Sequence, residues 1–338
     1  MIKNILVVNV NWLGDAIFST PVFKALKKSY PQARVSCLAV GRVKDVLEQC
    51  PFVDEVIVYE EKGRHWSPFG KFQMIMNLRR KKFDVVFLLH RSMTRALLVF
   101  LAGIPHRVGY DTKKQSRFLT HKISLKDEQL HRSDEYLKII EDYGVGVDDR
   151  VCELKVEPGI LADIERKLLK FGITAKDYLI IVNPGGNWDL KRWPVRNFSE
   201  LTKRLVKENH AKVLISGGQA DLALAKQIAE ESQVDPCVWT GQTTLNELLA
   251  LFKRADVVVS NDSGPSHVAA SVGTNVVALF GPTRPEITAP RGSGRVVVLH
   301  KEIGCNQAPC YHLTCPQNDC MRAITVDDVL QAIEKFKR

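Results

Sequence analysis

No apolar run in this 338-residue chain is long enough to cross a bilayer, which takes about 20 residues as a helix. The start of the chain does not read as a secretory leader. The opening Met1-Ile2-Lys3-Asn4-Ile5-Leu6-Val7-Val8 is a short apolar run, and Gly14-Asp15 replaces a small-residue cleavage site. It reads as the first strand of a cytoplasmic enzyme. The three-glycine dinucleotide fingerprint is absent, which disfavours a dehydrogenase. No glycine-rich loop ends in Gly-Lys-Thr/Ser, which disfavours an ATPase. There is no Asp-x-Asp triplet, so a metal-bridged sugar diphosphate of that type is not indicated. Close cysteine pairs are lacking too. Cys305, Cys310, Cys315 and Cys320 recur every five residues, unlike the knuckles of zinc sites, and a cytoplasmic disulfide framework is disfavoured. We expect a loop with free thiols there ahead of a metal site, no metal at the active centre and no cofactor.

What is present is core and positive charge. With 45% hydrophobic and 25% charged residues, the chain can bury a large core and suits two domains. Its 48 Lys+Arg against 38 Asp+Glu give +10. Residues 60–135 carry 16 of the former and 8 of the latter, so +8 of the excess lies there. Such a zone suits an acidic substrate or an anionic membrane surface. Nucleic acid is disfavoured, because no recognisable binding motif accompanies the charge.

Strand-like and helix-like segments alternate twice along the chain. Residues 4–10, 34–39, 55–58 and 84–89 read as strands of a first half, closed by a helix over 131–143. Residues 178–183, 212–216, 256–260 and 276–280 read as strands of a second, with helices over 197–208, 222–231, 245–252 and 265–272. A helix over 158–171 joins the halves. This alternation predicts an α/β protein with two Rossmann-like domains, each built on a parallel sheet, facing a cleft. We place the domains at 1–157 and 158–324, with the amphipathic helix 325–338 returning to pack on the first.

The most informative passage is Val257-Val258-Val259-Ser260-Asn261-Asp262-Ser263-Gly264-Pro265-Ser266-His267. A buried strand runs into small polar residues and then a Pro-led helix, the arrangement that presents backbone N–H groups to phosphate. An ordinary cap by Asp262 or Ser263 would look the same locally. Three more small-residue turns follow predicted strands of this half: Gly185-Gly186-Asn187, Gly217-Gly218 and Gly281-Pro282-Thr283. All fall on one sheet edge, where backbone can approach a nucleotide closely. Lys191 follows the first, placed to neutralise a diphosphate. In the first half, Asp15 follows Gly14 in the first β–α turn, where a carboxylate can accept a proton from a substrate hydroxyl or simply cap a helix.

Four passages together resemble glycosyltransferase family 9, the heptosyltransferases of lipopolysaccharide inner-core synthesis in Gram-negative bacteria. They are Trp12-Leu13-Gly14-Asp15 with Thr20-Pro21; Ala102-Gly103-Ile104-Pro105-His106-Arg107-Val108-Gly109-Tyr110; Asn183-Pro184-Gly185-Gly186 with Lys191-Arg192-Trp193-Pro194; and Asn261-Asp262-Ser263-Gly264-Pro265-Ser266-His267 with Phe280-Gly281-Pro282-Thr283. The cysteine-rich stretch 305–321 is similar to the heptosyltransferase II subgroup. The resemblance implies a GT-B fold, an ADP-heptose donor in the second domain and a Kdo-lipid A acceptor in the first, at the inner face of the cytoplasmic membrane. It implies Asp15 as base. It implies donor contacts from Gly186, Asn187, Lys191, Asp221, Asp262, Ser263, Gly264 and His267, with amides of Ser263–Ser266 on the diphosphate. Arg91, Arg95, Arg107, Lys113 and Lys114 are candidates for the acceptor's phosphates and carboxylates. Alternatives are a family member adding the first or a later heptose, a nucleotide-sugar-binding protein without transfer activity, and an epimerase on the same scaffold.

Overall fold

The computed structural model describes residues 2–124, 129–305, 309–310 and 315–337. The chain forms two compact units, Met1–Leu154 and Lys155–Arg338. In the first, strands β1 (Asn4–Val8), β2 (Arg34–Ala39), β3 (Glu55–Val58), β4 (Val85–Leu88), β5 (His106–Tyr110) and β6 (His121–Ile123) form a parallel sheet in the order β3-β2-β1-β4-β5-β6. Its helices are α1 (Leu13–Phe18), α2 (Thr20–Ser29), α3 (Lys44–Glu48), α4 (Pro68–Arg80), α5 (Met93–Leu101) and α6 (Arg132–Glu141). The central strands are continuous apolar runs because helices cover both faces; Ile5 to Val8 and Val85 to Leu88 are fully buried.

The second unit repeats the winding. Strands β7 (Leu179–Asn183), β8 (Lys212–Ile215), β9 (Cys237–Val238), β10 (Val257–Asn261), β11 (Asn275–Phe280) and β12 (Val296–His300) lie in the order β12-β11-β10-β7-β8-β9, all parallel. Its helices are α7 (Pro158–Lys170), α8 (Val195–Lys207), α9 (Leu222–Ser232), α10 (Leu245–Arg254), α11 (Gly264–Ser271), α12 (Pro285–Thr288), α13 (Asp319–Arg322) and α14 (Val326–Glu334). In each unit the winding reverses at one place, between β1 and β4 and between β7 and β10. The loops beyond the carboxyl ends diverge there and open a crevice for ligand.

Helix α7 belongs to the second unit and packs on α10, with Lys167 paired to Glu247 at 2.5 Å. The last helix, expected on the first unit, belongs to the second. Its Val329, Leu330 and Ile333 join the core formed with α8 and β11, and Trp193 Nε1 donates to the Ile324 carbonyl at 2.9 Å just before it. An apolar stripe states that a helix must be covered, but not by which sheet. No helix among the described residues is long and apolar enough to cross a membrane.

Candidate functional site

In the second unit the site is built where β7 and β10 adjoin. Their register pairs Asn183 with Ser260, so the following loops leave the sheet side by side. Asn261, fully buried, ties them together. Its Nδ2 donates to the Pro184 carbonyl at 2.8 Å and the Gly185 carbonyl at 3.3 Å, and its Oδ1 accepts from the Trp193 amide at 3.1 Å. Asn261→Ala would strand these groups in the interior, and a loss of about 2–3 kcal/mol in unfolding free energy is expected. Urea unfolding checks it; a change below about 0.5 kcal/mol would show that other partners replace the side chain.

Asp262 is buried, and its Oδ2 accepts from Lys191 Nζ at 2.6 Å and from Thr283 Oγ1 at 2.6 Å. Three loops, after β7, β10 and β11, thereby converge on one carboxylate. Asp262 is therefore not the helix cap; the cap position of α11 is Ser263. Lys191 also lies 5.6 Å from the centre of the Trp188 ring. Pinned by Asp262 and only partly exposed, its ammonium is an oriented cation with protons to spare. The first turn of α11 offers fewer amides than expected. Pro265 has no N–H, and the Ser266 amide donates to the Ser263 carbonyl at 3.1 Å, which leaves Ser263 and Gly264 as candidate donors. His267 is buried one turn into the helix.

Asp221 joins this cluster. Its Oδ2 accepts from the Gly218 amide at 3.0 Å, and the carboxylate lies where a Cβ on Gly185 would be. Any side chain at 185 would have to displace the Asp221 carboxylate. At Gly186, by contrast, an added Cβ would meet nothing within 4 Å. Arg192 links the two loops, donating to the Gly186 carbonyl at 2.6 Å from Nη2 and 3.0 Å from Nε, with Asp221 3.9 Å away. Asn187 is exposed beside it. Sequence reasoning assigned no role to Arg192, Thr283 or Asn261, although all three lie inside the motifs it singled out.

In the first unit Asp15 sits in the first turn of α1, whose cap position is Trp12. Its side chain is 30% exposed. Oδ1 accepts from Tyr136 Oη at 3.1 Å, and Arg132 Nε lies 3.7 Å away. Burial pushes the carboxyl's pKa up; Arg132 and the Tyr136 hydrogen bond pull it down, Glu135 adds to the rise, and the result is above the ordinary aspartate value. Arg132, Glu135 and Tyr136 stand at i, i+3 and i+4 of α6, hence on one face. They lie more than a hundred residues from Asp15, and no local signal couples them to it.

The five basic candidates separate. Arg91 pairs with Glu135, which also holds Arg132 at 2.5 Å, and lies over the Tyr110 ring at 4.8 Å. It is therefore part of the Asp15 cluster. Lys113 and Lys114 are exposed on the turn after β5. Arg95 is not a surface ligand: it is 1% exposed and donates to the Asn9 carbonyl at 2.5 Å, Asn11 Oδ1 at 2.7 Å and Glu61 Oε1 at 2.9 Å. It fixes the loop between β1 and α1. Beside it His90, 3.2 Å from Asn11 Nδ2, is held down to about 4 by burial and by Arg95, and is neutral at neutral pH. Arg107 is likewise committed, to the carbonyls of Phe118 at 2.6 Å and Ile104. The oxygens that each arginine finds in the fold, invisible as such in a basic zone, decide which ones are committed internally.

Cys305, Cys310, Cys315 and Cys320 line one cavity of about 860 Å³ with His300. Among the described residues no three His, Cys, Asp or Glu side chains are arranged to hold a metal.

Residues 72–320 match the profile of glycosyltransferase family 9 (heptosyltransferase). The chain is 29% identical over 324 residues to lipopolysaccharide heptosyltransferase 2 of Salmonella typhimurium, covering 91% of this chain and 92% of that one. Among solved structures it is similar to a family 9 glycosyltransferase from Veillonella parvula, with 28% identity, TM-score 0.88 and coverage of 99% and 97%. It is also similar to the E. coli ADP-heptose lipopolysaccharide heptosyltransferase II, with 26% identity, TM-score 0.80 and coverage of 99% and 98%.

Proposed function

The chain belongs to glycosyltransferase family 9, a glycosyltransferase of GT-B type, and we propose that it is an inverting heptosyltransferase II. It transfers L-glycero-D-manno-heptose from ADP-heptose to the heptosyl-Kdo-lipid A inner core of lipopolysaccharide, at the inner face of the cytoplasmic membrane. The observation that carries the reading is the Lys191–Asp262–Thr283 cluster at the winding reversal of the second unit. It sits beside the first turn of α11, within a chain that is similar to a lipopolysaccharide heptosyltransferase 2 over 91% of its length.

In this mechanism Asp15 accepts the proton of the acceptor heptose hydroxyl. The freed oxygen attacks the anomeric carbon of ADP-heptose, the bond from that carbon to the diphosphate breaks, and ADP leaves with the electron pair. A single displacement inverts the centre. A raised Asp15 pKa makes it a better base, since basicity rises towards the operating pH. Lys191 and the amides of Ser263 and Gly264 stabilise the charge growing on the diphosphate. Gly186, Asn187, Asp221, Arg192 and His267 surround the nucleotide. Arg91, Lys113 and Lys114 meet the acceptor's phosphates and carboxylates.

The test offers ADP-heptose with Kdo-lipid A acceptors bearing zero, one or two heptoses, and weighs the products. Extension of the one-heptose acceptor alone is expected. Extension of another acceptor would make the chain a different heptosyltransferase. ADP-heptose binding without any product would make it a binding protein, and turnover of the donor without acceptor an epimerase. Full activity is expected in excess EDTA, because a lysine and helix-end amides can neutralise a diphosphate without a cation. Activity lost to EDTA and restored by magnesium would overturn that.

A further inference from the structure

We propose that the outer face of α4 and the turn before it dock on an anionic phospholipid bilayer, a partner surface that rests on the lipid-anchored acceptor proposed above. Trp66, Phe69 and Phe72 are 71%, 68% and 57% exposed. Helix α4 turns Gly70, Met74 and Leu78 inward, at i, i+4 and i+8, and this leaves Phe69 and Phe72 on the opposite side. The turn is held firmly. His65 is buried, its Nδ1 accepts from the Glu60 amide at 3.0 Å, and its ring lies against Tyr59 at 5.4 Å. A Cβ on Gly70 would collide with the Arg64 carbonyl, so glycine lets the helix press onto this turn and hold Trp66 outward.

The segment that carries these rings is charged with one sign, although Glu55 lines the groove beside it and Glu60 stands at the base of the turn. Residues 62–82 contain seven Lys and Arg and no Asp or Glu. Among the described residues Lys62, Arg64, Lys71, Arg79 and Arg80 are in no ion pair, whereas Lys81 is held by Glu55 at 2.5 Å. Phe69 and Phe72 also line a groove of about 770 Å³ together with Arg64, Arg80 and the outermost strand, β3. Exposed aromatics set among unpaired cations match an interface of acyl chains topped by phosphates. A second copy is a poor occupant, because the chain carries +10 overall and this face would meet its own sign.

Sedimentation of the full chain with vesicles tests the proposal. Wild type is expected to bind vesicles of phosphatidylcholine with a quarter phosphatidylglycerol, to ignore pure phosphatidylcholine, and to be released by salt. Phe69→Ser with Phe72→Ser, and separately Trp66→Ser, should weaken binding at least about tenfold with the melting temperature unchanged. Transfer to a deacylated, water-soluble acceptor should stay at the wild-type rate while transfer to acceptor embedded in vesicles falls. No binding by wild type, or equal binding by the variants, overturns the proposal. So does a wild-type dimer in ultracentrifugation that the Phe variants turn into monomer. Failure of every acceptor to be extended would sink the transferase reading but leave the vesicle result standing.

Discussion

Asparagine at position 15 is expected to lower kcat by about 100- to 10,000-fold while ADP affinity stays near wild type. The substitution is close to isosteric. It keeps an oxygen that can accept from Tyr136 Oη, so the turn should hold its shape. Helix capping is not at stake, because Trp12 occupies the cap position. What disappears is the charge and the ability to take a proton. The Lys191–Asp262 pair belongs to the other unit, which is why nucleotide binding should be spared. Single-turnover rates and calorimetry with ADP separate the two effects. Turnover within about tenfold of wild type would assign the proton elsewhere and leave Asp15 a structural group. The same carboxylate should set the acid side of the pH profile. Only its ionised form accepts a proton, so the rate falls as pH drops through its pKa, which burial has raised. Tyr136→Phe removes a hydrogen bond that favours the ionised form, so the pKa rises further and the acid limb should move to higher pH.

Much of this was legible in the sequence, for identifiable reasons. Central strands such as β1, β4, β7 and β10 are unbroken apolar runs, because a sheet covered on both faces demands them, and small polar turns punctuate their carboxyl ends. Strands β5, β6, β9 and β12 were missed. Each is short, polar or at an outer position of its sheet, as in His106-Arg107-Val108-Gly109-Tyr110, where half-burial leaves no long apolar signal. In the second unit the meeting of these loops was legible, because parallel strands deliver Gly185, Asp262 and Thr283 to one edge whatever the detailed packing. In the first unit Asp15 and Arg91 were each singled out, but not their meeting. Arg132, Glu135 and Tyr136 beside them come from α6, and proximity across the fold leaves no trace in spacing. Arg91 and Arg95 lie four residues apart in one basic zone, yet one pairs at the surface with Glu135 and the other is buried beneath the β1–α1 loop. Tertiary packing decided that, and composition could not.

The second large effect is expected on the donor side. Lys191→Ala should weaken ADP and ADP-heptose binding by about 10- to 150-fold, the equivalent of losing one charge-assisted contact of about 1.5–3 kcal/mol. The structure places the loss towards the upper end. Without the ammonium, buried Asp262 keeps only the Thr283 hydroxyl of its two recorded side-chain donors, and an uncompensated carboxylate would then repel the diphosphate. This reasoning separates two roles for Lys191. If it contacts phosphate itself, Lys191→Ala combined with Asp262→Asn should remain weak. If it mainly cancels Asp262, the double variant should recover most of the lost affinity, while Lys191→Arg should recover part of it in either case. His267→Ala should also reduce affinity, in line with its place one turn into α11. Calorimetry with ADP decides between these outcomes. Unchanged affinity in both Lys191→Ala and His267→Ala would move the nucleotide away from the reversal between β7 and β10.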